Sequence, residues 1–321
     1  MSFNTPILLI TWKRPNATLK VINAIRNVKP SKIYVSSDGP RFENFSDAKK
    51  IEKTRELIRR NINWDTEIKT LFHEKNKGCM KGVSSAINWF FDNEEEGIVL
   101  EEDCLPHPDF FYFCEQLLNK YRNDERIWCI TGNNLQDKNW RGESSYYFSR
   151  YNHCWGWASW KRCWKKYDVF ISDWPRIKKT EALKSLFFHR KEINHWEKTF
   201  DSIHYLKQPD TWDYQWTYTC FMNSGLTAIP NKNLIENIGF NQEATHTKIG
   251  ESPAKLDNCE KFNSGILPLI HPEYIIRSEK ADRYTEVRYF SGPNIFSFLF
   301  IIKLIKKASN KLKFLKSFFR I

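Results

Sequence analysis

The chain of 321 residues is long enough to bury a large core, and its 41% apolar and 27% charged residues exclude both a disordered chain and a membrane-embedded one. Fifty basic side chains against 38 acidic ones give a net charge of +12, and seven of them (Lys303, Lys306, Lys307, Lys311, Lys313, Lys316 and Arg320) fall in the last nineteen positions, which hold no acid. Such a surface attracts phosphates, but no nucleic-acid-binding module accompanies the charge, so nucleic acid is not an expected partner.

From Pro6 to Thr131 short β-branched runs alternate with helical stretches, the pattern of βαβ units around a largely parallel sheet. Strands are expected at Ile7–Thr11, Lys32–Ser37, Glu67–Phe72, Ile98–Glu102 and Trp128–Thr131. Helices are expected at Ala17–Asn27, Asp47–Asn61, Lys81–Asp92 and Asp109–Arg122, with Ser46 as the cap of the second. Beyond Thr131 the chain becomes dense in aromatics, and helices are expected around Ser159–Tyr167, Thr180–His189, Ile193–His204 and Thr211–Asn223. No internal repeat or linker interrupts it. One catalytic domain is therefore expected over residues 1–290, with a nucleotide-binding half (1–131) and an acceptor half (132–290), followed by a basic tail over 291–321.

The tail interleaves apolar and basic residues after Phe296-Ser297-Phe298-Leu299-Phe300-Ile301-Ile302, an apolar run too short to span a bilayer. It reads as an amphipathic helix lying on an anionic membrane surface, or as one docked on its own domain or a partner. The eight cysteines show no close metal-ligand spacing, and the first residues offer only Ile7 to Ile10 as an apolar run, without a basic segment before it. A reduced, cytoplasmic location follows, peripheral on the inner membrane face if the tail binds lipid.

In open α/β sheets ligands sit beyond the carboxyl ends of the strands, so the residues that end each run are the informative ones. The first strand ends in Thr11-Trp12-Lys13-Arg14-Pro15, the second in Ser36-Ser37-Asp38-Gly39-Pro40, and the third precedes Asn76-Lys77-Gly78. The fourth delivers Glu101-Glu102-Asp103, three consecutive carboxylates after an apolar strand. A solvated acidic turn and a divalent-cation site are both open readings; Mg²⁺ or Mn²⁺ commonly takes one or two carboxylates and completes its shell with water and phosphates. Asp38 reads equally as a turn residue or a ligand. Arg14 is a surface charge or a guanidinium aimed at a phosphate.

Together these motifs resemble the GT-A glycosyltransferases, in particular the inverting N-acetylglucosaminyltransferases acting on mannose and the bacterial family 2-like or hemolytic-protein-like relatives, over about Ile7 to His246. The resemblance implies a nucleotide-diphospho-sugar transferase fold: α/β, with a mixed, mainly parallel sheet flanked by helices. It implies Arg14 and Asp38 as nucleotide-holding residues. Glu101-Glu102-Asp103, followed by Pro108-Asp109-Phe110-Phe111, is similar to the family's acidic motif, with Asp103 on the metal and Glu101 and Glu102 toward the ribose or behind the ligands. Cys154-Trp155-Gly156-Trp157-Ala158-Ser159 resembles the Gly-Trp segment under the donor sugar, which points to Trp157; by residue type alone it is a tight turn entering a packed helix. Trp212-Asp213-Tyr214-Gln215-Trp216 resembles the element that carries the general base, making Asp213 the candidate and Asp210 the fallback, although an acid in a first helical turn is also ordinary. Asn237-Ile238-Gly239-Phe240 and then Ala244-Thr245-His246-Thr247 resemble the late loop in which a His meets the diphosphate or metal.

The implied activity is inverting, metal-dependent transfer, with Mn²⁺ or Mg²⁺, of a sugar such as N-acetylglucosamine. The donor would be a UDP-sugar and the acceptor a glycan or lipid-linked glycan hydroxyl. A sugar nucleotidyltransferase is the enzymatic rival, though the position of its Gly-rich phosphate loop reads Trp12-Lys13-Arg14-Pro15 here. A non-catalytic, membrane-peripheral nucleotide-sugar-binding protein is the other.

Overall fold

The computed structural model of the chain describes residues 3–42, 44–239 and 265–291. His246 and all but the first residue of the basic tail lie outside the described residues.

The first half folds as the alternation dictates. Strand β1 (Ile7–Thr11) leads into helix α1 (Pro15–Arg26), β2 (Lys32–Ser37) into α2 (Phe45–Asn61), and β3 (Glu67–Phe72) into α3 (Gly78–Asn93). Then come β4 (Glu96–Glu101), the short β5 (Cys104–Pro106), α4 (Pro108–Tyr121) and β6 (Ile127–Thr131). β1 is buried along its whole length, as a central parallel strand covered on both faces must be, and pairs in parallel with β2 on one side and β4 on the other. Pro15 and Pro108 open α1 and α4, where a missing N–H costs nothing. The cap of α2 is Asn44, whose side chain accepts from the Asp47 N–H at 3.0 Å; Ser46 lies one turn position inside the helix and is not the cap.

The second half departs from the helical expectation at its start. Trp157–Trp160 is a strand, β8, and only the turn Lys161–Trp164 (α5) is helical; β7 (Tyr146–Ser149) precedes it. The reason is tertiary: β8 inserts antiparallel between β4 and β6, and all four of its residues are buried. The expected helix over Thr180–His189 shortens to α7 (Ala182–Leu186), and an unexpected turn of helix, α6 (Trp174–Ile177), precedes it. α8 (Arg190–Asp201) opens with a reciprocal box between His189 and Glu192 and runs on as a π-helical turn, Ser202–Leu206. α9 (Asp213–Met222), β9 (Leu226–Pro230), β10 (Ile235–Asn237) and α10 (Glu279–Thr285) complete the order.

The result is an α/β architecture with an eight-stranded mixed sheet in the order β3-β2-β1-β4-β8-β6-β9-β7, flanked by helices, and a small β10-β5 ribbon. Because β8 lies inside it, one sheet carries residues from both halves of the chain. A large core fills the sheet faces, and a second, aromatic cluster of Tyr151, Trp174, Trp196, Phe200 and Phe221 sits beneath α8 and α9.

α10 clasps the far edge. Arg277 bridges to Phe148 of β7, and the Ser278 N–H donates to the Phe148 carbonyl at 2.7 Å. The buried Asp282 accepts from the Ser149 hydroxyl, Arg150 and Arg277, and Glu286 accepts from the Tyr151 hydroxyl and the Trp196 indole. Among the described residues no helix is long and apolar enough to cross a membrane.

Candidate active site

The carboxyl ends of β1, β2 and β4 open into a cavity of about 530 Å³, closed on its other side by the turn before β8, the segment leading into α9 and the end of β10. Every strand-end residue singled out from the sequence reaches it: Arg14, Asp38, Glu101, Glu102 and Asp103, joined by Asp210 and Asp213 from the far wall.

The acidic triplet divides into three environments. Glu101 ends β4 and Glu102 is buried, its Oε2 accepting the Trp12 N–H at 2.7 Å and the Thr18 hydroxyl at 3.4 Å. Glu102 thereby fixes the β1–α1 turn from behind. Asp103 faces the cavity, its side chain 21% exposed, and takes the Arg14 guanidinium on Oδ2 at 2.5 Å. Burial, reinforced by Asp103 and Asp213, pushes the Glu101 carboxyl up to about 8. Burial likewise lifts Glu102 to about 7, against the pull of the Trp12 N–H and Arg14. The cavity floor is thus a place where negative charge is crowded and a cation is favoured.

Asp38 shapes the neighbouring wall. Its carboxylate accepts the N–H groups of Gly39 (2.8 Å) and Lys77 (3.0 Å) and the Asn76 amide (2.8 Å), tying the β2 end to the turn before α3. Burial holds this carboxyl above the usual range, with the two N–H groups pulling it back. Trp12 forms the adjoining surface, its indole N–H donating to the Gly39 carbonyl at 3.0 Å and its ring carrying the Lys13 ammonium 3.9 Å from the centroid.

On the far wall the two candidate bases separate. Asp210 spends both oxygens as the cap of α3, accepting the Cys79 and Met80 N–H groups at 2.9 Å each. Asp213 opens α9 and accepts from the neighbouring Thr211 hydroxyl. It lines the cavity without being committed to another helix.

Trp157 is not where the motif suggested. It pairs with Val99 and Thr131 inside the sheet, is 1% exposed, and stacks on Trp212 with centroids 5.7 Å apart. Gly156, at φ +62, reverses the chain, so that Trp155 two residues earlier lines the cavity in its place. Trp12, Asn76, Cys79, Trp155, Asn237 and Gly239 also line the wall, and none of them was given an individual role from the sequence. The signal existed for all but Cys79: Trp12 and Asn76 sit in the strand-end runs, Trp155 in the Gly-Trp segment, and Asn237 and Gly239 at the start of the late-loop motif.

Among the described residues no three His, Cys, Asp or Glu side chains converge as a self-sufficient metal cage. The donor set fits the other mode, in which a hard divalent cation takes one or two carboxylates and draws its remaining ligands from phosphate and water. Asp103 is the carboxylate placed for that.

The fold and site together define an α/β protein with a carboxylate-rich cavity at the carboxyl edge of its sheet. No family model matches the chain, and neither does any curated protein. Among solved structures it is similar to a cytidylyltransferase from Leptospira borgpetersenii, at 13% identity and TM-score 0.32 over 52% of this chain and 64% of that one. It is also similar to a UDP-glucose pyrophosphorylase complexed with UDP-glucose (10% identity, TM-score 0.29, 50% and 78% covered). A third is mouse xyloside xylosyltransferase 1 (9%, 0.31, 68% and 80%). Likenesses this distant leave the function to be read from the site itself.

Proposed function

We propose that the protein is a metal-dependent, inverting glycosyltransferase that moves a sugar, such as N-acetylglucosamine, from a nucleoside diphosphate donor to a glycan or lipid-linked glycan hydroxyl. The observation that carries this reading is the opposition, across one cavity, of the Arg14–Asp103 pair on one wall and Asp213 on the other.

The division of labour follows from chemistry. Trp12 offers an aromatic face and Asp38 a carboxylate for the nucleoside, UDP being the expected one, at the ends of β1 and β2. Asp103 would hold Mn²⁺ or Mg²⁺, which when bound supplies positive charge to the diphosphate. Arg14 adds a guanidinium to the same leaving group. Asp213 takes the proton of the acceptor hydroxyl as its oxygen bonds to the anomeric carbon and the bond from that carbon to the phosphate oxygen breaks. No covalent enzyme intermediate is needed, and Trp155 supplies an apolar face beside the sugar.

Calorimetric titration with UDP, with and without Mn²⁺, tests the donor site on wild type and Asp103→Ala. Metal-dependent binding in wild type that is lost in the variant is expected. Wild type that binds no UDP in either condition would remove the reading. Synthesis of a sugar nucleotide from a nucleoside triphosphate and a sugar phosphate would instead identify a nucleotidyltransferase.

A further inference from the structure

Arg14 is more than a second cation for the leaving group. Its Nη1 lies 2.5 Å from Asp103 Oδ2 and its Nε 3.8 Å from Glu102 Oε1, with only 11% of the side chain exposed. Its carbonyl is anchored by the N–H and hydroxyl of Thr18 in the first turn of α1. Gly239 backs directly onto the pair: a Cβ there would collide with Asp103 Oδ2 and come within 2.9 Å of Arg14 Nη1. The guanidinium therefore sits, enclosed, on the carboxylate that fits a divalent cation.

We infer that Arg14 couples cation binding to donor binding by holding Asp103 until a diphosphate arrives. A divalent cation approaching alone meets a fixed positive charge on its ligand. A nucleoside diphosphate offers the guanidinium a better, bidentate partner, and as Arg14 turns to it Asp103 is released to the cation. Each ligand then strengthens the other by the same factor, because coupling between two binding equilibria is reciprocal. The inference rests on the donor-site reading above, and adds that Arg14 enforces joint rather than separate loading.

The test measures Mn²⁺ affinity from the free-ion electron paramagnetic resonance signal, with and without UDP. In wild type UDP is expected to tighten Mn²⁺ by roughly tenfold or more, within the usual range of such couplings. In Arg14→Ala, Mn²⁺ alone should bind more tightly than to wild type, UDP more weakly, and the coupling factor should fall below the wild-type value, to what the direct contact of cation and diphosphate leaves. Arg14→Lys, which keeps the charge but not the forked geometry, should lie between.

Wild type that binds UDP while holding Mn²⁺ equally well with and without it overturns the coupling and leaves the donor site standing. A folded Arg14→Ala that keeps the full wild-type factor overturns it too. Wild type that binds no UDP at any Mn²⁺ concentration removes both readings together. The wild-type factor needs no variant, so misfolding of a substituted chain does not shield the inference.

Discussion

At the scale of single residues, the far wall of the cavity makes the sharpest distinction. Asp210 and Asp213 are three positions apart in sequence, yet one has both oxygens on the amides of α3 and the other bonds only its neighbouring hydroxyl among the interactions described. Asp213→Asn keeps size and polarity but removes the proton acceptor. It is expected to bind UDP and Mn²⁺ as wild type does and to lose transfer by two orders of magnitude or more, on the scale of general-base removal. A variant that retains transfer rates near wild type would move the base elsewhere. The strand-end residues Arg14, Asp38 and Asp103 were legible because the carboxyl-end rule depends only on where a β-branched run stops. Trp157 was misplaced for a reason that rule does not contain. The positive φ of Gly156 and the insertion of β8 between two strands distant in sequence decide which Trp faces the cavity, and neither can be read from the segment itself.

At the scale of elements, every strand and helix of the first half but the short β5 was readable to within about three residues, because its buried strands are continuous apolar runs and the intervening helices carry ordinary amphipathic patterns. The acceptor half was not. Short antiparallel strands rich in Trp and Tyr carry no period that separates them from buried helix, so β7 and β9 went unread and β8 was taken for helix. The link between Asp210 and α3 spans 131 positions and is likewise invisible locally. It is also where an element holds the site in shape, since α3 begins with Gly78 and Cys79 on the cavity wall. Asp210→Ala leaves the first N–H groups of α3 without their acceptor and should lower stability by about 1–2 kcal/mol, the usual cost of a lost cap. Thermal denaturation checks this, with Asp213→Asn as the comparison expected to melt near wild type. Equal melting of Asp210→Ala and wild type would show that the cap is dispensable.

At the scale of the whole molecule, the pH dependence of stability has opposing sources: the raised carboxyls of Glu101 and Glu102 favour the folded chain as pH falls, and His153 disfavours it. His153 is buried beside the cavity turn, its Nε2 has no hydrogen-bond partner among the described residues, and burial pushes the imidazole down to about 4 from its ordinary value of 6.5. Above pH 6.5 the ring is neutral in both folded and unfolded chains and contributes no pH dependence. Between 6.5 and 4 the unfolded chain takes up a proton that this ring refuses in the folded chain, so the contribution of His153 to stability falls as pH falls, by about 3 kcal/mol at most. Because the raised carboxyls of Glu101 and Glu102 act in the opposite direction, the contribution of His153 is read as a difference: by urea denaturation, going from pH 7 to pH 5 should cost wild type about 2 kcal/mol more than it costs a folded His153→Gln. An identical pH dependence in the two proteins would remove His153 from the pH dependence of stability.

The clasp of α10 on β7 has a consequence in time. Translation lays down the strands of the sheet before residues 277–286, which cover the outer edge of β7 and satisfy its Phe148 carbonyl and Ser149 hydroxyl. Until that late segment leaves the ribosome, the nascent sheet presents a bare margin of backbone donors and acceptors, able to pair with a neighbouring chain as readily as with its own. The interval between the synthesis of β9 and that of α10 is therefore the stretch of translation in which this chain depends most on being kept apart from its copies.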